Sequence, residues 1–217
     1  MKSAPFTKSY NGRCVLSVPE LEWNPGTITA VIGANGSGKS TLGKVLSGVA
    51  RSDEKRPVLT GCEIGYLPQK PYALRMSVEK NILLNGSDHA LANQMMDALN
   101  LTPIRRNRAN RLSGGETAKM ALARILMRHY DLLILDEPTA AMDMESTAAA
   151  EQLIKTYAKN HNCAVIFITH SLSQAIRMSD CTLYLEAGKR IESGETGTVL
   201  KAPKTPELKH FLDFYGM

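Results

Sequence analysis

The chain has 217 residues, 43% of them hydrophobic and 22% charged, a composition that excludes a disordered segment and fits one globular unit with a sizeable interior. Lys and Arg outnumber Asp and Glu by 26 to 21, an excess that suits phosphate ligands or an anionic membrane surface and is too small to indicate nucleic acid. No apolar run approaches the ~18–20 residues that cross a bilayer, the start lacks a signal-peptide core, and no two cysteines form a C-x-x-C pair, so we expect a protein of the reducing cytosol.

The first predicted elements are strands. Residues 13–23 have strand composition interrupted by Pro19, and the turn at 24–26 leads into an apolar run at 27–32. The aromatic residue Tyr10 precedes them in the turn-like sequence Ser-Tyr-Asn-Gly. We therefore predict an antiparallel hairpin that enters a core strand.

A glycine-rich turn follows this strand and matches the pattern G-x-x-x-x-G-K-[ST] with Gly33, Gly38, Lys39 and Ser40. Glycines allow backbone conformations in which successive N–H groups converge on a phosphate, and a helix predicted over 41–46 adds the positive end of its dipole. Lys39 would then reach the β- and γ-phosphates of a nucleotide, and Ser40 would hold Mg²⁺. The alternative is a turn that binds nothing, but the strand before it and the helix after it favour a nucleotide site.

The next part of the chain predicts one more strand and a group of short helices. Residues 62–67 have strand composition and end just before Gln69. Helical periodicity over 77–101 predicts two helical segments, in which the methionines are core filler rather than ligands. The basic run 105–111 is either a solvated connecting face or a contact for lipid headgroups or a partner, and the solvated face is favoured.

Ser113 begins a helix that we expect to run to about His129. An acidic residue, Glu116, stands three positions after Ser113 and predicts a capping box. The two glycines between them would expose backbone amides at the helix N-terminus, which makes a second anion site. The capping box and the anion site are compatible.

Two adjacent acids follow the apolar run 132–135, which is too continuous for a half-exposed strand and therefore belongs within a parallel sheet. Asp136 would hold Mg²⁺, and Glu137 would polarise an attacking water as a general base. The alternative is a solvated acidic pair at a strand end. The length of the buried run and the Pro138 that follows favour the catalytic interpretation.

The last third of the chain alternates helices and strands, as α/β folds do. A lone histidine at a strand end is more often structural than catalytic, so His170 needs support from other motifs. The predicted elements are a helix at 145–159, a strand at 164–168 followed by His170, a short helix near 172–179, strands near 181–186 and 189–193, and a terminal helix at about 204–216.

The motifs taken together resemble the ATP-binding cassette (ABC) ATPases over roughly residues 5–200. The features that carry this resemblance, in chain order, are the turn at 33–41, Gln69, Leu-Ser-Gly-Gly-Glu at 112–116, Asp136-Glu137, Asp143 and His170. The resemblance implies an α/β fold with a P-loop NTPase core and a mostly parallel sheet, formed by about 1–69 and 113–200 of a single domain 1–217. It also implies an inserted α-helical subdomain at about 70–112.

An N-terminal antiparallel β subdomain belongs to the same pattern. Importers of this family carry a longer antiparallel arm after the nucleotide helix, whereas here only 29 positions separate Lys39 from Pro68. We therefore expect a shortened arm. The terminal helix at about 204–216 would close the domain.

The resemblance assigns ATP to the glycine-rich turn and Mg²⁺ to Ser40, Gln69 and Asp136. Tyr10 would stack on adenine, or it is only a surface aromatic at a turn. Glu137 would be the general base. The turn residues that would bind the nucleotide are Asn35, Gly36, Ser37, Gly38, Lys39, Ser40 and Thr41.

The remaining assigned residues concern the γ-phosphate and the dimer. Gln69 and His170 would sense the γ-phosphate, and Asp143 would lie in the loop that links the two active sites of a dimer. Ser113, Gly114 and Gly115 would clamp the γ-phosphate that another copy holds. Three positions depart from the usual family residues: Glu116 replaces Gln, Lys119 replaces Arg and Ser171 replaces Asp.

The resemblance also implies partners. The first is a second copy, or a paired cassette, that sandwiches two ATP molecules with this chain. The others are separately encoded membrane permease subunits and, for an importer, an extracytoplasmic solute-binding protein. No direct contact with nucleic acid is expected. We expect a cytoplasmic protein on the inner face of the membrane, and the signature wording faintly favours importers of oxyanions such as tungstate. The alternative is a soluble ABC ATPase that acts on ribosomes or nucleic acid. A small-molecule kinase is contradicted by the motif at 113–116.

Overall fold

The computed structural model describes residues 1–215, which form one eight-stranded sheet with helices packed against it. The strands lie in the order β1-β2-β8-β7-β3-β6-β5-β4. Their bounds are β1 Phe6–Tyr10, β2 Arg13–Val18, β3 Ile28–Ile32, β4 Ile64–Leu67, β5 Leu132–Asp136, β6 Ala164–Ile168, β7 Cys181–Glu186 and β8 Lys189–Glu195. The helices are α1 Lys39–Leu46, α2 Val78–Ile82, α3 His89–Ala98, α4 Gly114–Leu126, α5 Met144–Asn160, α6 Leu172–Met178, α7 Thr196–Lys201 and α8 Pro206–Phe214.

The centre of the molecule is the parallel part of the sheet, in which β3, β6, β5 and β4 are consecutive neighbours. Every residue of β3, β5 and β6 is buried, because helices cover both faces. In β5, Leu133 and Leu135 pack into the cluster that contains α4, whereas Leu132 and Ile134 pack into the cluster that contains α1. The predicted α/β fold with a mostly parallel sheet is confirmed.

The N-terminal hairpin differs from the prediction. β2 pairs with β1 and β8, and β3 pairs with β6 and β7, so residues 13–23 do not form a hairpin with 27–32. The hairpin turn lies instead at Asn11 and Gly12, whose φ angles of 50° and 77° fit a two-residue Asn-Gly turn. Because β8 and β7, which come from the far end of the chain, lie between the hairpin and β3, local sequence could not reveal this arrangement.

The helical segment between β4 and α4 shares its core with α4. Val78 and Ile82 of α2 and Met96 of α3 belong to the same buried cluster as Met120 and Leu122 of α4. Single 3₁₀ turns at Leu83–Asn85, Thr102–Ile104 and Ala109–Arg111 join these helices. The buried Met96 fills the core, as the sequence predicts for the methionines.

Two helix boundaries and one helix near the carboxyl end differ from the sequence prediction. α4 ends at Leu126 rather than near His129, α7 is not predicted, and α8 covers Pro206–Phe214. The predicted end of the terminal helix, position 216, lies outside the described residues. Within residues 1–215, each helix is too short or too polar to traverse a bilayer.

Candidate functional site

The predicted site residues meet at one edge of the sheet. The parallel strands β3, β4, β5 and β6 all end there, and each is followed by a motif: the turn at 33–38, Gln69, Glu137 and His170 respectively. The carboxyl edge of a parallel sheet is where ligands bind in open α/β folds. Motifs that lie up to 137 positions apart therefore come together.

The glycine-rich turn has the conformation that an anion cradle requires. Gly36 and Gly38 have φ angles of 80° and 104°, which residues with a side chain rarely adopt. A Cβ on Gly33 would lie 2.2 Å from the carbonyl oxygen of Leu185, so only glycine fits. Within the part of the chain that the structure describes, the buried hydroxyl of Ser37 has no hydrogen-bond partner. An unsatisfied buried donor here fits a ligand that brings acceptor oxygens.

Lys39 points back into this turn. Its buried ammonium group donates hydrogen bonds to the carbonyl oxygens of Gly33 at 2.7 Å and Ala34 at 2.9 Å. Burial lowers the pKa of Lys39, although the charges of Glu137 and Asp136 oppose this shift. Within residues 1–215 no carboxylate lies within ion-pair distance of this buried ammonium group, so a bound phosphate would stabilise its charge.

Asp136 lies at the end of β5 and is also buried. The hydroxyl of Ser40 donates to its Oδ1 at 3.2 Å, and the hydroxyl of Tyr66 donates to its Oδ2 at 3.4 Å. Burial raises the pKa of Asp136 even though both hydrogen bonds oppose the shift. A carboxylate beside a hydroxyl, next to a phosphate cradle, is the donor set that suits Mg²⁺, which takes few protein ligands.

Glu137 is held between two predicted switch residues. Gln69 donates from Nε2 to Oε2 of Glu137 at 3.1 Å, and Nδ1 of His170 lies 3.4 Å from the same oxygen. The side chain of Glu137 is 14% exposed and that of His170 is 60% exposed, so the carboxylate lies at the boundary between the core and the cleft. Glu137 also has a φ of 49°, an uncommon backbone conformation that turns its side chain at the strand end.

Lys39, Gln69 and Glu137 line an open cleft of about 500 Å³. Tyr10, which is 45% exposed, forms one wall, and Nζ of Lys8 lies 4.8 Å from the centroid of its ring. Val15 also lines the cleft, although the sequence provides no signal for it. The other lining residues are Asn35, Gly36, Gly38, Lys39, Ser40, Thr41, Gln69 and Glu137.

The motif at 113–116 does not line that cleft. Ser113 caps α4, with its Oγ accepting from the Glu116 amide at 3.2 Å and its amide donating to Oε2 of Glu116 at 2.8 Å. The predicted capping box is present. Gly115 packs so closely on the next loop that a Cβ would lie 2.7 Å from the carbonyl oxygen of Ala141. Asp143 caps α5 by accepting from the amide of Ser146 at 2.7 Å.

Comparison with known proteins agrees with this geometry. The family model described as ABC transporter matches residues 16–140, more than half of the chain. The chain belongs to the ABC transporter family. It is 36% identical over 197 residues to the tungstate uptake system ATP-binding protein TupC of Peptoclostridium acidaminophilum, an alignment that covers 84% of this chain and 92% of that protein.

Two further relatives of this ABC protein belong to other import systems. The zinc import ATP-binding protein ZnuC of Chelativorans sp. is 35% identical over 212 residues, which are 94% of this chain and 73% of that protein. The aliphatic sulfonates import ATP-binding protein SsuB 1 of Streptomyces avermitilis is 33% identical over 203 residues, 92% of this chain and 77% of that protein. A structure titled as the ATP binding subunit of an ABC transporter superposes with a TM-score of 0.82 at 20% identity, and the match covers 98% of each chain.

The ABC protein is accordingly an ATP-binding protein and an ATP hydrolase. Its structure brings the nucleotide turn, Gln69 and Glu137 to one cleft, and no residue of 113–116 lines this cleft. Asp136 and His170 lie beside the cleft, where they contact Ser40 and Glu137 respectively. Tyr66, whose hydroxyl contacts Asp136, is not among the residues that the sequence predicts for the site. Tyr66 lies on β4, three residues before Gln69, and pairs with Ile134 of β5, two residues before Asp136. Its position near Gln69 in the sequence could have suggested a place close to the site.

Proposed function

We propose that this ABC ATPase is the ATP-hydrolysing subunit of a bacterial import system and works on separately encoded membrane permease subunits. The observation that carries the proposal is one cleft at the carboxyl edge of the sheet that is lined by Lys39 and Glu137, with Asp136 hydrogen-bonded to the Ser40 of the same cleft. The buried cation suits a triphosphate, and the buried carboxylate suits a divalent metal ion.

The chain's own residues would divide the chemistry between them. Lys39 and the amides of the glycine-rich turn would hold the phosphates, and Ser40 with Asp136 would hold Mg²⁺, which supplies positive charge against the phosphates when it is bound. Glu137 would accept hydrogen bonds from, and take a proton from, an attacking water. Its contacts with Gln69 and His170 support this role, because both side chains fix the orientation of the carboxylate before any ligand arrives.

Two copies would share each nucleotide. The nucleotide cleft contains no residue from 113–116, yet the N-terminus of α4 exposes amide groups suited to an anion. Ser113 and Gly114 would therefore meet the phosphates held by a second copy. ATP would close the dimer in this arrangement, and hydrolysis would open it again.

The surface next to Gln69 supports a contact with a permease. A groove of about 340 Å³ continues from β4 past Pro68 to the exposed side chains of Tyr72, Leu74 and Leu84. A groove with exposed apolar side chains, next to a residue of the nucleotide cleft, can transmit closure of the cleft to a bound partner. We propose that a permease binds this groove and that the protein thereby works at the cytoplasmic face of a membrane.

The identity of the transported solute is a separate part of this proposal. The named relatives act in tungstate, zinc and sulfonate systems at similar identities of 33–36%, so the nucleotide-binding chain does not separate these cargoes. We propose that the transported solute is an oxyanion such as tungstate and that a solute-binding protein determines which solute is transported. Co-expression with a candidate permease and binding protein, followed by uptake of radiolabelled or isotopic tungstate, zinc and an alkyl sulfonate, distinguishes them.

The test of the enzymatic proposal is Glu137→Gln. The variant retains the shape of the side chain and loses its basicity, so we expect ATP hydrolysis to fall at least ~100-fold while ATP binding persists. Phosphate release in a single turnover and retention of labelled ATP measure the two effects. The matched control is Glu207→Gln on α8, which should hydrolyse ATP at the wild-type rate. Normal hydrolysis by Glu137→Gln would remove this residue from the mechanism.

A further inference from the structure

A buried polar cluster lies behind the cleft, between α5, α6 and the two loops that carry Glu137 and His170. Its members are Gln174 of α6, Glu151 of α5, and Thr139 and Thr169 of the loops, each no more than 7% exposed. Four buried polar side chains in one place need mutual hydrogen bonds, because each would otherwise carry a desolvation cost.

Gln174 is the centre of this cluster. Its Oε1 accepts from the hydroxyl of Thr169 at 2.7 Å. Its Nε2 donates to Oγ1 of Thr139 and to Oε1 of Glu151, both at 2.9 Å. The backbone amide of Gln174 donates to Oγ of Ser171 at 3.2 Å. A single side chain thus uses both amide hydrogens and its oxygen, and joins three separate elements.

The charge of Glu151 is balanced on the other side. Arg177 donates to both carboxylate oxygens of Glu151, at 2.8 Å and 2.6 Å. Burial alone would raise the pKa of Glu151, but the hydrogen bonds from Arg177 and Gln174 outweigh it and lower the pKa. Glu151 is therefore an anchored carboxylate that fixes the Gln174 amide from behind.

The contacts of Gln174 reach the residues on both sides of His170. Thr169 precedes the histidine, and Ser171, whose amide donates to Oγ1 of Thr169 at 3.1 Å, follows it. Thr139 lies two positions after Glu137, at the start of the loop that ends at Asp143. Gln174 consequently ties the loop of His170 to the loop of Glu137, and these two side chains meet at 3.4 Å.

We infer that Gln174 is a positioning residue that holds His170 against Glu137, and that it couples the His170 loop to the 139–143 loop during ATP hydrolysis. The inference rests on the proposed hydrolytic function of this cleft. A glutamine suits the position because an ionised glutamate could not donate to Glu151, whereas an amide donates and accepts at once. Gln174 does not line the nucleotide cleft, so it acts through the two loops.

The test is Gln174→Glu with a pH profile of kcat. The new carboxyl group would face Glu151 from α5, Arg177 from α6, and the side chains of His170 and Glu137 across a small adjoining pocket. When it is ionised, the new carboxylate repels Glu151. When it is protonated, it can donate a hydrogen bond to Glu151, as the amide of Gln174 does. Burial and the neighbouring carboxylate raise the pKa of such a group.

We expect kcat of Gln174→Glu to be about tenfold below wild type at pH 8 and to return to within about twofold near pH 6, with the KM for ATP unchanged. Dividing by the wild-type profile at each pH removes the pH dependence that the variant shares with wild type. The matched control is Gln152→Glu, the same exchange on the exposed face of α5, which should follow the wild-type profile. A profile of Gln174→Glu that parallels wild type, or a loss confined to KM, overturns the inference.

A second variant guards against a folding defect. Gln174→Met retains the volume and removes the hydrogen bonds, and thermal melts at each pH identify any unfolded sample. If Gln174 acts through His170, the losses in kcat for Gln174→Met and His170→Ala will not add in the double variant. Additive losses overturn the coupling. Wild-type protein that fails to hydrolyse ATP contradicts the proposed function itself, whereas normal kcat in the Gln174 variants contradicts only this inference.

Discussion

Lys39 and Asp136 are buried with opposite charges at one cleft, and both have pKa values shifted toward their neutral forms. Burial is the leading cause in each case, which means that neighbouring groups do not replace the lost hydration. An anion beside Lys39 and a cation beside Asp136 would reverse both shifts. A nucleotide with Mg²⁺ provides the two charges in the required places.

A substitution at Lys39 distinguishes the contribution of this side chain to ATP binding from its contribution to the stability of the folded protein. Because the folded-state pKa of Lys39 lies below its ordinary value of 10.5, the folded protein disfavours the charge that the lysine carries at neutral pH. We expect Lys39→Met to unfold at the same temperature as wild type or higher without nucleotide, and to bind ATP about 100-fold more weakly.

Thermal melts with and without ATP measure both effects. Wild type should gain about 2.7 kcal/mol at an ATP concentration of 100 times its Kd, and Lys39→Met should gain about 0.4 kcal/mol at that concentration. Lys44→Met is the control, since Lys44 is exposed on the same helix and should retain the full gain. A large loss of stability in Lys39→Met without nucleotide would show that the ammonium has a structural role.

Motif residues could be predicted because their signals are local. Lys39 and Ser40 follow their glycines directly, and Asp136 ends its own apolar run. Tyr66 and Gln174 could not be found in the same way. Tyr66 contacts a residue 70 positions away and Gln174 a residue 35 positions away, so only the order of the strands brings these partners together.

At the scale of elements, the shortened arm leaves β1 at the edge of the sheet, and the loop at 51–57 covers it. Asp53 accepts from the amide and hydroxyl of Ser9 at 3.0 Å and 2.8 Å, and Glu54 accepts from the amide of Thr7 at 3.0 Å. Two carboxylates thus accept hydrogen bonds from backbone amides of β1 that a further strand would otherwise have paired with. These contacts protect the exposed edge of the sheet from pairing with another strand.

This edge contact predicts a pH-dependent stability. Hydrogen bonds from the amide and hydroxyl of Ser9 lower the pKa of Asp53 below its ordinary value of 3.8. The contribution of Asp53 is therefore present above pH 3.8 and is lost as pH falls through the lower, folded-state pKa. We expect Asp53→Ala to lower Tm by about 2–4 °C at pH 7 and to approach wild type in strong acid.

Melting curves between pH 7 and pH 2.5 check this expectation. Asp213→Ala is the control, because Asp213 is exposed on α8 and its carboxylate makes no hydrogen bond within residues 1–215. A constant difference between Asp53→Ala and wild type across that range would argue against the carboxylate as the cause.

The junction of α4 with the loop at 139–143 depends on one of two adjacent glycines. A Cβ on Gly115 would lie 2.7 Å from the backbone oxygen of Ala141, whereas the nearest atom to a Cβ on Gly114 is 3.9 Å away. We expect Gly115→Ala to cost about 1–3 kcal/mol and Gly114→Ala to change stability by less than about 0.5 kcal/mol. Urea unfolding of the two variants measures the contrast, and equal losses would contradict the close contact.

Secondary-structure elements were largely predictable, and their pairing was not. The runs that became β3, β5 and β6 are buried on both faces, so their apolar sequence indicated central parallel strands. The sequence predicts the hairpin turn at 24–26 rather than at Asn11 and Gly12, because the residues just before β3 also form a turn sequence. Neighbouring strands β7 and β8 come from the far end of the chain, and no local pattern announces that β7 lies beside β3.

At the scale of the whole molecule, the nucleotide cleft and the N-terminus of α4 line two neighbouring pockets of one chain, which share Gln69 and Glu137. The proposed dimer joins them between copies. Each complete site then needs the turn of one copy and Gly114 of the other. Defects placed in different halves of the site should therefore complement each other, which defects in a self-contained site could not do.

Lys39→Met and Gly114→Glu test this arrangement when they are mixed. Lys39→Met removes the nucleotide half, while Gly114→Glu adds a negative charge at an open position where a side chain has room in the single chain. Each variant alone should hydrolyse ATP below about 1% of wild type, because every dimer it forms lacks one half of both sites.

Mixed dimers contain one intact site, formed by the turn of the Gly114→Glu chain and the α4 terminus of the Lys39→Met chain. Random pairing makes half of all dimers mixed, so we expect about one quarter of wild-type activity per chain in an equimolar mixture. The activity should rise with the square of protein concentration at low concentration, as a dimer requires. Full activity of Gly114→Glu alone would mean that a single chain completes its own site, and a mixture that stays inactive at high concentration would mean that the two surfaces never meet.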